Sequence, residues 1–147
     1  LVKGLGAGIQ IGALVANTRA ASVFAPGDHA STFGGNLLSA AAAEVVLKRL
    51  REGSLLRQVD ERGRQLRLGL EALQQEHPAL VREIRGMGLM QGIELAEPVA
   101  PYIAACRDRG LLLVGAGERV IRFVPPLVVS AAEVDEMLAV LAAVLSA

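Results

Sequence analysis

Lys3 opens the block Lys3-Gly4-Leu5-Gly6-Ala7-Gly8, a primary amine followed by three glycines in five positions. Glycines let a backbone approach a ligand closely and adopt positive φ. A lysine partly desolvated in such a loop has a lowered pKa, and its free amine is a nucleophile for a carbonyl. A solvated lysine in a flexible turn is the plainer alternative. A second cluster, His29-Ala30-Ser31-Thr32-Phe33-Gly34-Gly35-Asn36, runs into a stretch of helix formers. Hydroxyls and glycines ahead of a helix suit an anion such as phosphate, although a plain helix cap has the same appearance. A third candidate is Arg122, between Ile121 and Phe123 and just ahead of Pro125-Pro126. A planar guanidinium suits bidentate contact with a carboxylate. A surface arginine on a strand is the alternative, but the stiff flanks favour a fixed position.

Other residues carry less. His29 and His77 lack metal-ligand spacing, so no metal site is expected, and His29 reads as a loop hydrogen-bonding residue. Cys106 falls in a helical stretch and reads as packing. Gly86 and Gly88 are expected to shape a strand pair, since no nucleotide-binding glycine pattern enters a helix there. Glu94 reads as structural.

These groups need elements to hold them. Residues 11–16 form an apolar run expected to be a short strand. Residues 37–50 are continuous helix formers, stopped by Lys48, Arg49 and Arg51 ahead of Gly53. Ser54 is expected to cap a second helix with Leu55, Val59, Leu66, Leu70 and Leu73 on one face, ended by Pro78. Strands are expected at 81–85 and 89–95, then a helix at 99–109. A strand at 111–114, a turn through Gly115-Ala116-Gly117 and an antiparallel partner at 120–124 follow. Ser130 and Glu133 form a capping box that opens the last helix.

The 147 residues include 52% hydrophobic side chains, and 15 basic residues balance 15 acidic ones. A net charge of zero argues against a nucleic-acid partner. The single cysteine excludes an internal disulfide and fits a reducing compartment. No apolar run is long enough to span a bilayer. The chain begins at Leu1 with its richest motif following at once, and a fragment of a longer polypeptide is therefore expected.

Taken together, the lysine block, the His29–Asn36 cluster, Arg85-Gly86-Met87-Gly88-Leu89-Met90 with Gly92-Ile93-Glu94-Leu95, and Ile121-Arg122-Phe123 with Pro125-Pro126-Leu127 resemble the class III (subgroup II) pyridoxal-phosphate aminotransferases. Gly110-Leu111-Leu112, Val114, the Gly115-Ala116-Gly117 turn and the Arg122 block are most similar to the acetylornithine branch of that family. The resemblance implies an α/β fold: the end of a fold-type I large domain (1–36), connecting helices (37–77) and a small carboxy-terminal α/β domain (78–147). It implies that Lys3 carries pyridoxal 5'-phosphate covalently and afterwards moves a proton. It implies that Thr32, with Ser31 beside it, binds the cofactor phosphate of the opposite subunit of a homodimer, and that Arg122 binds a substrate carboxylate.

The reaction so implied transfers the terminal amino group of N-acetylornithine to 2-oxoglutarate, in arginine biosynthesis and in the cytoplasm. Ornithine, 4-aminobutyrate or another ω-amine are the alternative donors. A folded module unable to bind the cofactor is the alternative of a different class. Ala7, Gln10, Ala30 and Leu37 depart from the family pattern, where glycine, proline, glycine and proline are usual. None of them removes a proposed chemical group. The family's acidic partner of the pyridine nitrogen, ring-stacking aromatic residue and glycine-rich phosphate loop have no counterpart in this chain.

Overall fold

The computed structural model describes residues 3–147, with Lys3 described by its backbone alone. The chain divides into two compact units, Leu1–Gly53 and Ser54–Ala147, so the division falls between the two long helices.

In the first unit, a 3-10 turn at Lys3–Gly6 leads into irregular chain, and a short helix α1 spans Thr18–Ala21. Helix α2, Leu37–Glu52, follows the loop at 29–36. The strand expected at 11–16 is absent, and this unit has no strand among its described residues. An extended segment becomes a strand only when an adjacent strand pairs with it, and no such sheet pairing forms among the described residues of this unit. Asn36 is the N-cap of α2, its Oδ1 accepting from the Ser39 backbone N–H at 3.0 Å. Gly53 ends the helix in extended backbone (φ −100°, ψ 176°).

In the second unit, α3 spans Leu55–Glu76, and β1 (Val81–Met87) and β2 (Met90–Leu95) form a hairpin. Helix α4 covers Ala100–Asp108, followed by β3 (Val114–Gly115), β4 (Val120–Phe123) and α5 (Ala131–Leu145). The four strands form one antiparallel sheet in the order β1-β2-β4-β3. Ser54 does sit at the N-cap of α3, but its hydroxyl caps nothing. A capping side chain needs an extended backbone, and Ser54 has ψ 1°, so its hydroxyl accepts from Gln58 Nε2 instead. The strand expected at 111–114 shrinks to Val114–Gly115, because the Leu111 N–H turns back to the Cys106 carbonyl at 2.9 Å as the chain leaves α4. The capping box on α5 is present as expected, with Ser130 and Glu133 exchanging both bonds. The Ser130 backbone N–H holds the Glu133 carboxyl below its usual pKa.

The core lies between the sheet and helices α3, α4 and α5. Leu66 and Leu70 of α3, Ile93 and Leu95 of β2, Ile121 and Phe123 of β4, and Val134 and Leu141 of α5 are all buried in it. Each full burial of such a side chain is worth about 1.5–3 kcal/mol. Cys106 belongs to this core, and burial raises its thiol pKa, which suits packing and not nucleophilic chemistry.

Helix α3 meets the hairpin turn at a glycine contact. A Cβ on Gly63 would lie 2.7 Å from the Gly88 carbonyl carbon. Gln91, 4% exposed, secures the contact by donating Nε2 to the carbonyls of Gly63 (2.8 Å) and Gly88 (2.7 Å). Gly88 (φ 56°) takes the positive φ of the two-residue turn between the paired Met87 and Met90, and Gly86 (φ 127°) has positive φ within β1, opposite Gln91. Gly69 offers a contrast, because a Cβ there meets only the end of the Leu138 side chain.

Gly63→Ala should therefore destabilise the second unit by about 1–3 kcal/mol, since backbone must move to admit the methyl. Gly69→Ala should be near neutral: Leu138 can rotate away, and alanine gains about 1 kcal/mol of helix propensity over glycine. Urea titrations of both variants test the difference, and equal losses would show that the Gly88 contact is not tight.

Candidate functional site

Within the first unit, the segment 8–14 and the loop 29–36 face one another across a groove of about 1020 Å³. Its lining includes Gly8, Gln10, His29, Ser31, Gly34 and Asn36. The backbone of Lys3 begins the turn that leads into one wall, while the Lys3 side chain lies outside the described residues. Ser31 lines the groove, and Thr32 is the next residue of the same loop, exposed. Neither hydroxyl donates or accepts a hydrogen bond among the described residues. Gly34 packs so closely on Ser31 that a Cβ there would stand 2.9 Å from Ser31 Cβ and 3.0 Å from its Oγ. Gly35 follows at φ 68°. The wall thus offers unpaired hydroxyls and small residues just ahead of the N-terminus of α2, a donor set that fits a phosphate.

A short relay of hydrogen bonds holds the two walls together. Asn36 Nδ2 donates one hydrogen to the Phe33 carbonyl and the other to Ser39 Oγ, both at 2.9 Å. Ser39 Oγ in turn donates to the Gln10 carbonyl, 29 residues away, at 3.1 Å. Ser39 is buried, and its hydroxyl hydrogen and the two amide hydrogens of Asn36 are each committed once. Sequence reasoning placed Asn36 in the anion loop but overlooked Ser39. A serine two residues into a helix carries no local signal when its partner lies 29 positions back.

Arg122 belongs to the second unit. It lies on β4 opposite Gly92 of β2 and Val114 of β3, exposed, between the buried Ile121 and Phe123. Its side chain makes no ion pair or hydrogen bond among the described residues. Arg122 also contributes to a cavity of about 350 Å³ whose lining is mostly apolar, with Leu113, Phe123, Pro125 and Met137, but includes Glu133. An exposed, unpaired guanidinium can take a carboxylate through two parallel donors.

Among the described residues, no group of histidines, cysteines and carboxylates could hold a metal. His29 lines the groove, while His77 ends α3 with Nε2 at 3.4 Å from Ser146 Oγ. No helix among the described residues is long and apolar enough to cross a membrane.

A family model described as "Aminotransferase class-III" matches residues 1–145. The acetylornithine aminotransferase of Gloeobacter violaceus is 54% identical over 142 residues, which cover 96% of this chain and 35% of that protein. The crystal structure of N-acetylornithine aminotransferase from Stenotrophomonas maltophilia superposes with a TM-score of 0.79 at 34% identity, covering 97% of this chain and 37% of that one. An ornithine delta-aminotransferase from Plasmodium falciparum gives a TM-score of 0.77 at 29% identity, covering 90% and 35%. The chain spans about a third of the length of these relatives.

Ser39→Ala should loosen the groove by removing the bond that spans it, worth about 1 kcal/mol. Limited proteolysis should then cut faster within residues 10–17 while α3 and the sheet stay protected. An unchanged cleavage rate would show that the Gln10 wall is held by other contacts.

Proposed function

The chain belongs to the class III aminotransferases, and from that premise we propose that it is the carboxy-terminal part of an enzyme moving the terminal amino group of N-acetylornithine to 2-oxoglutarate. The observation that carries the proposal is the groove wall of Ser31 to Asn36, whose unpaired hydroxyls and glycines suit the phosphate of pyridoxal phosphate, the cofactor of this family. When bound, pyridoxal phosphate supplies the electron sink that lets a carbon next to nitrogen release its proton.

The chain's own residues would divide the remaining work. Lys3 would hold the cofactor covalently through Nζ, and its freed amine would carry the proton that leaves and returns. Thr32, with Ser31 beside it, would donate to the phosphate of the opposite subunit in a homodimer. The exposed Leu37, Leu38, Val45 and Leu47 of α2 are consistent with further protein covering that helix. Arg122 would bind a carboxylate of the donor or of 2-oxoglutarate. In this scheme residues 1–36 close a large cofactor domain, 37–77 connect, and 78–147 form the small domain. The setting would be cytoplasmic and the pathway arginine biosynthesis. Acetylornithine is favoured over ornithine as donor by curated relatives named acetylornithine aminotransferase at 54% and 51% identity over most of this chain.

In the full-length enzyme, Lys3→Ala should abolish multiple turnover and the borohydride-fixable yellow linkage, and normal turnover would sink the assignment. Arg122→Lys should keep that linkage but lower kcat/KM for a carboxylate substrate roughly ten- to a hundred-fold, the loss of about 1.5–3 kcal/mol from one charge-assisted contact. If kcat/KM for both substrates is intact, Arg122 is not the carboxylate anchor. The isolated 147-residue chain should show no transamination, because the ring-stacking and pyridine-nitrogen partners lie outside it. Activity in the purified chain would refute that division.

A further inference from the structure

One face of the sheet is packed against helices, and the other carries Glu83, Arg85, Glu94 and Arg122. Alternation along the strands puts them there: Ile84, Ile93, Ile121 and Phe123 are buried, while Arg85 and Arg122 are exposed. The register is specific. Gly92 stands between Arg85 of β1 and Arg122 of β4, in one row across three strands. Glu94, two residues further along β2, pairs with Glu83 on one side and Val120 on the other. Glu94 is therefore a diagonal neighbour of both arginines, one on each flanking strand. Diagonal neighbours lie about 7–8 Å apart, within reach of long side chains.

Glu94 takes only one of them. Arg85 Nη1 is 2.7 Å from Glu94 Oε2 and 2.7 Å from Glu83 Oε2, while Arg122 has no partner among the described residues. Glu83 and Glu94 are directly opposed, and like charges so placed repel. A cation between them relieves the repulsion and holds Glu94 on the β1 side. Without it, Glu94 would be pushed from Glu83 towards Arg122, its diagonal neighbour on β4. The bond to Glu94 is also the chief reason that the Arg85 pKa rises above its ordinary value.

We propose that Arg85 is a positioning residue for substrate binding: by engaging Glu94 it prevents a Glu94–Arg122 ion pair and keeps the Arg122 guanidinium open to a substrate carboxylate. The inference rests on the assignment of Arg122 as carboxylate anchor. It makes Glu94 an internal competitor, held in check by Arg85 on the neighbouring strand β1.

A mutant cycle in the full-length enzyme tests it. Arg85→Met should raise KM for 2-oxoglutarate about fivefold with kcat little changed, the factor by which an exposed ion pair of about 1 kcal/mol would compete. Adding Glu94→Gln should return KM to the wild-type value, since the competitor has lost its charge. Glu94→Gln alone should leave KM unchanged, and Arg85→Lys, which keeps a cation beside Glu94, should stay within about twofold. If Arg85→Met does not fold, Arg85→Gln serves the same comparison. A purely structural Arg85 would lower thermal stability without the KM-specific effect and without rescue by Glu94→Gln. An Arg85→Met KM equal to wild type, or a raised KM that Glu94→Gln fails to restore, overturns the proposal. Should Arg122→Lys leave both substrates unaffected, the carboxylate-anchor assignment itself has failed, an outcome separate from either of these.

Discussion

The approach of α3 to the hairpin turn sets much of the second unit. Gly63 carries no side chain, so the helix can touch the Gly88 backbone. Gln91 then ties both carbonyls with one amide. That contact fixes β2, because a strand whose side chain is committed on the buried face cannot slip by one residue without turning every side chain over. With β2 fixed, the pairings of Gln91 to Phe123 and Gly92 to Arg122 follow. Phe123 enters the core, and Arg122 is left on the opposite face. The placement of a chemical group on β4 is thus decided at a glycine contact on another strand and a helix.

In the first unit the corresponding node is Asn36. Its side chain caps α2, satisfies the Phe33 carbonyl and supports Ser39, which reaches Gln10. A plain helix cap and an anion loop were competing interpretations of the same eight residues. The structure makes the cap real while leaving the hydroxyls of Ser31 and Thr32 unengaged. The two are compatible because Asn36 does the capping and the residues before it remain available.

The open face of the sheet shows how charge can be organised without burial. Arg85 and its two carboxylates are partly exposed, so each pair adds little to stability. What the arrangement controls is geometry: which acid is near which base, and which base is left unpaired. On such a face the register of three strands, and not the strength of any one pair, determines where an unpaired guanidinium stands.

The sequence by itself determined the elements with strong local signals and the groups able to do chemistry. The helix from 37, the capping box at Ser130 and Glu133, the strand pair shaped by Gly86 and Gly88 and the antiparallel strand expected at 120–124 were all legible, because each depends on residues close in sequence. The family was legible for the same reason, since its motifs are contiguous blocks around Lys3, Thr32, Arg85 and Arg122. What only the tertiary structure decided depends on distant partners. Residues 11–16 look like a strand, yet no sheet pairing forms over them among the described residues. Leu111–Leu113 look like one too, yet the turn back to Cys106 delays the strand. Ser39 acquires its role from Gln10. Glu94, which sequence alone marks as structural, acquires a choice between two arginines that stand nine positions before it and 28 after it. Local sequence fixes which groups exist, but hydrogen-bond and charge partners that are far apart in the chain are chosen only when packing sets the register between them.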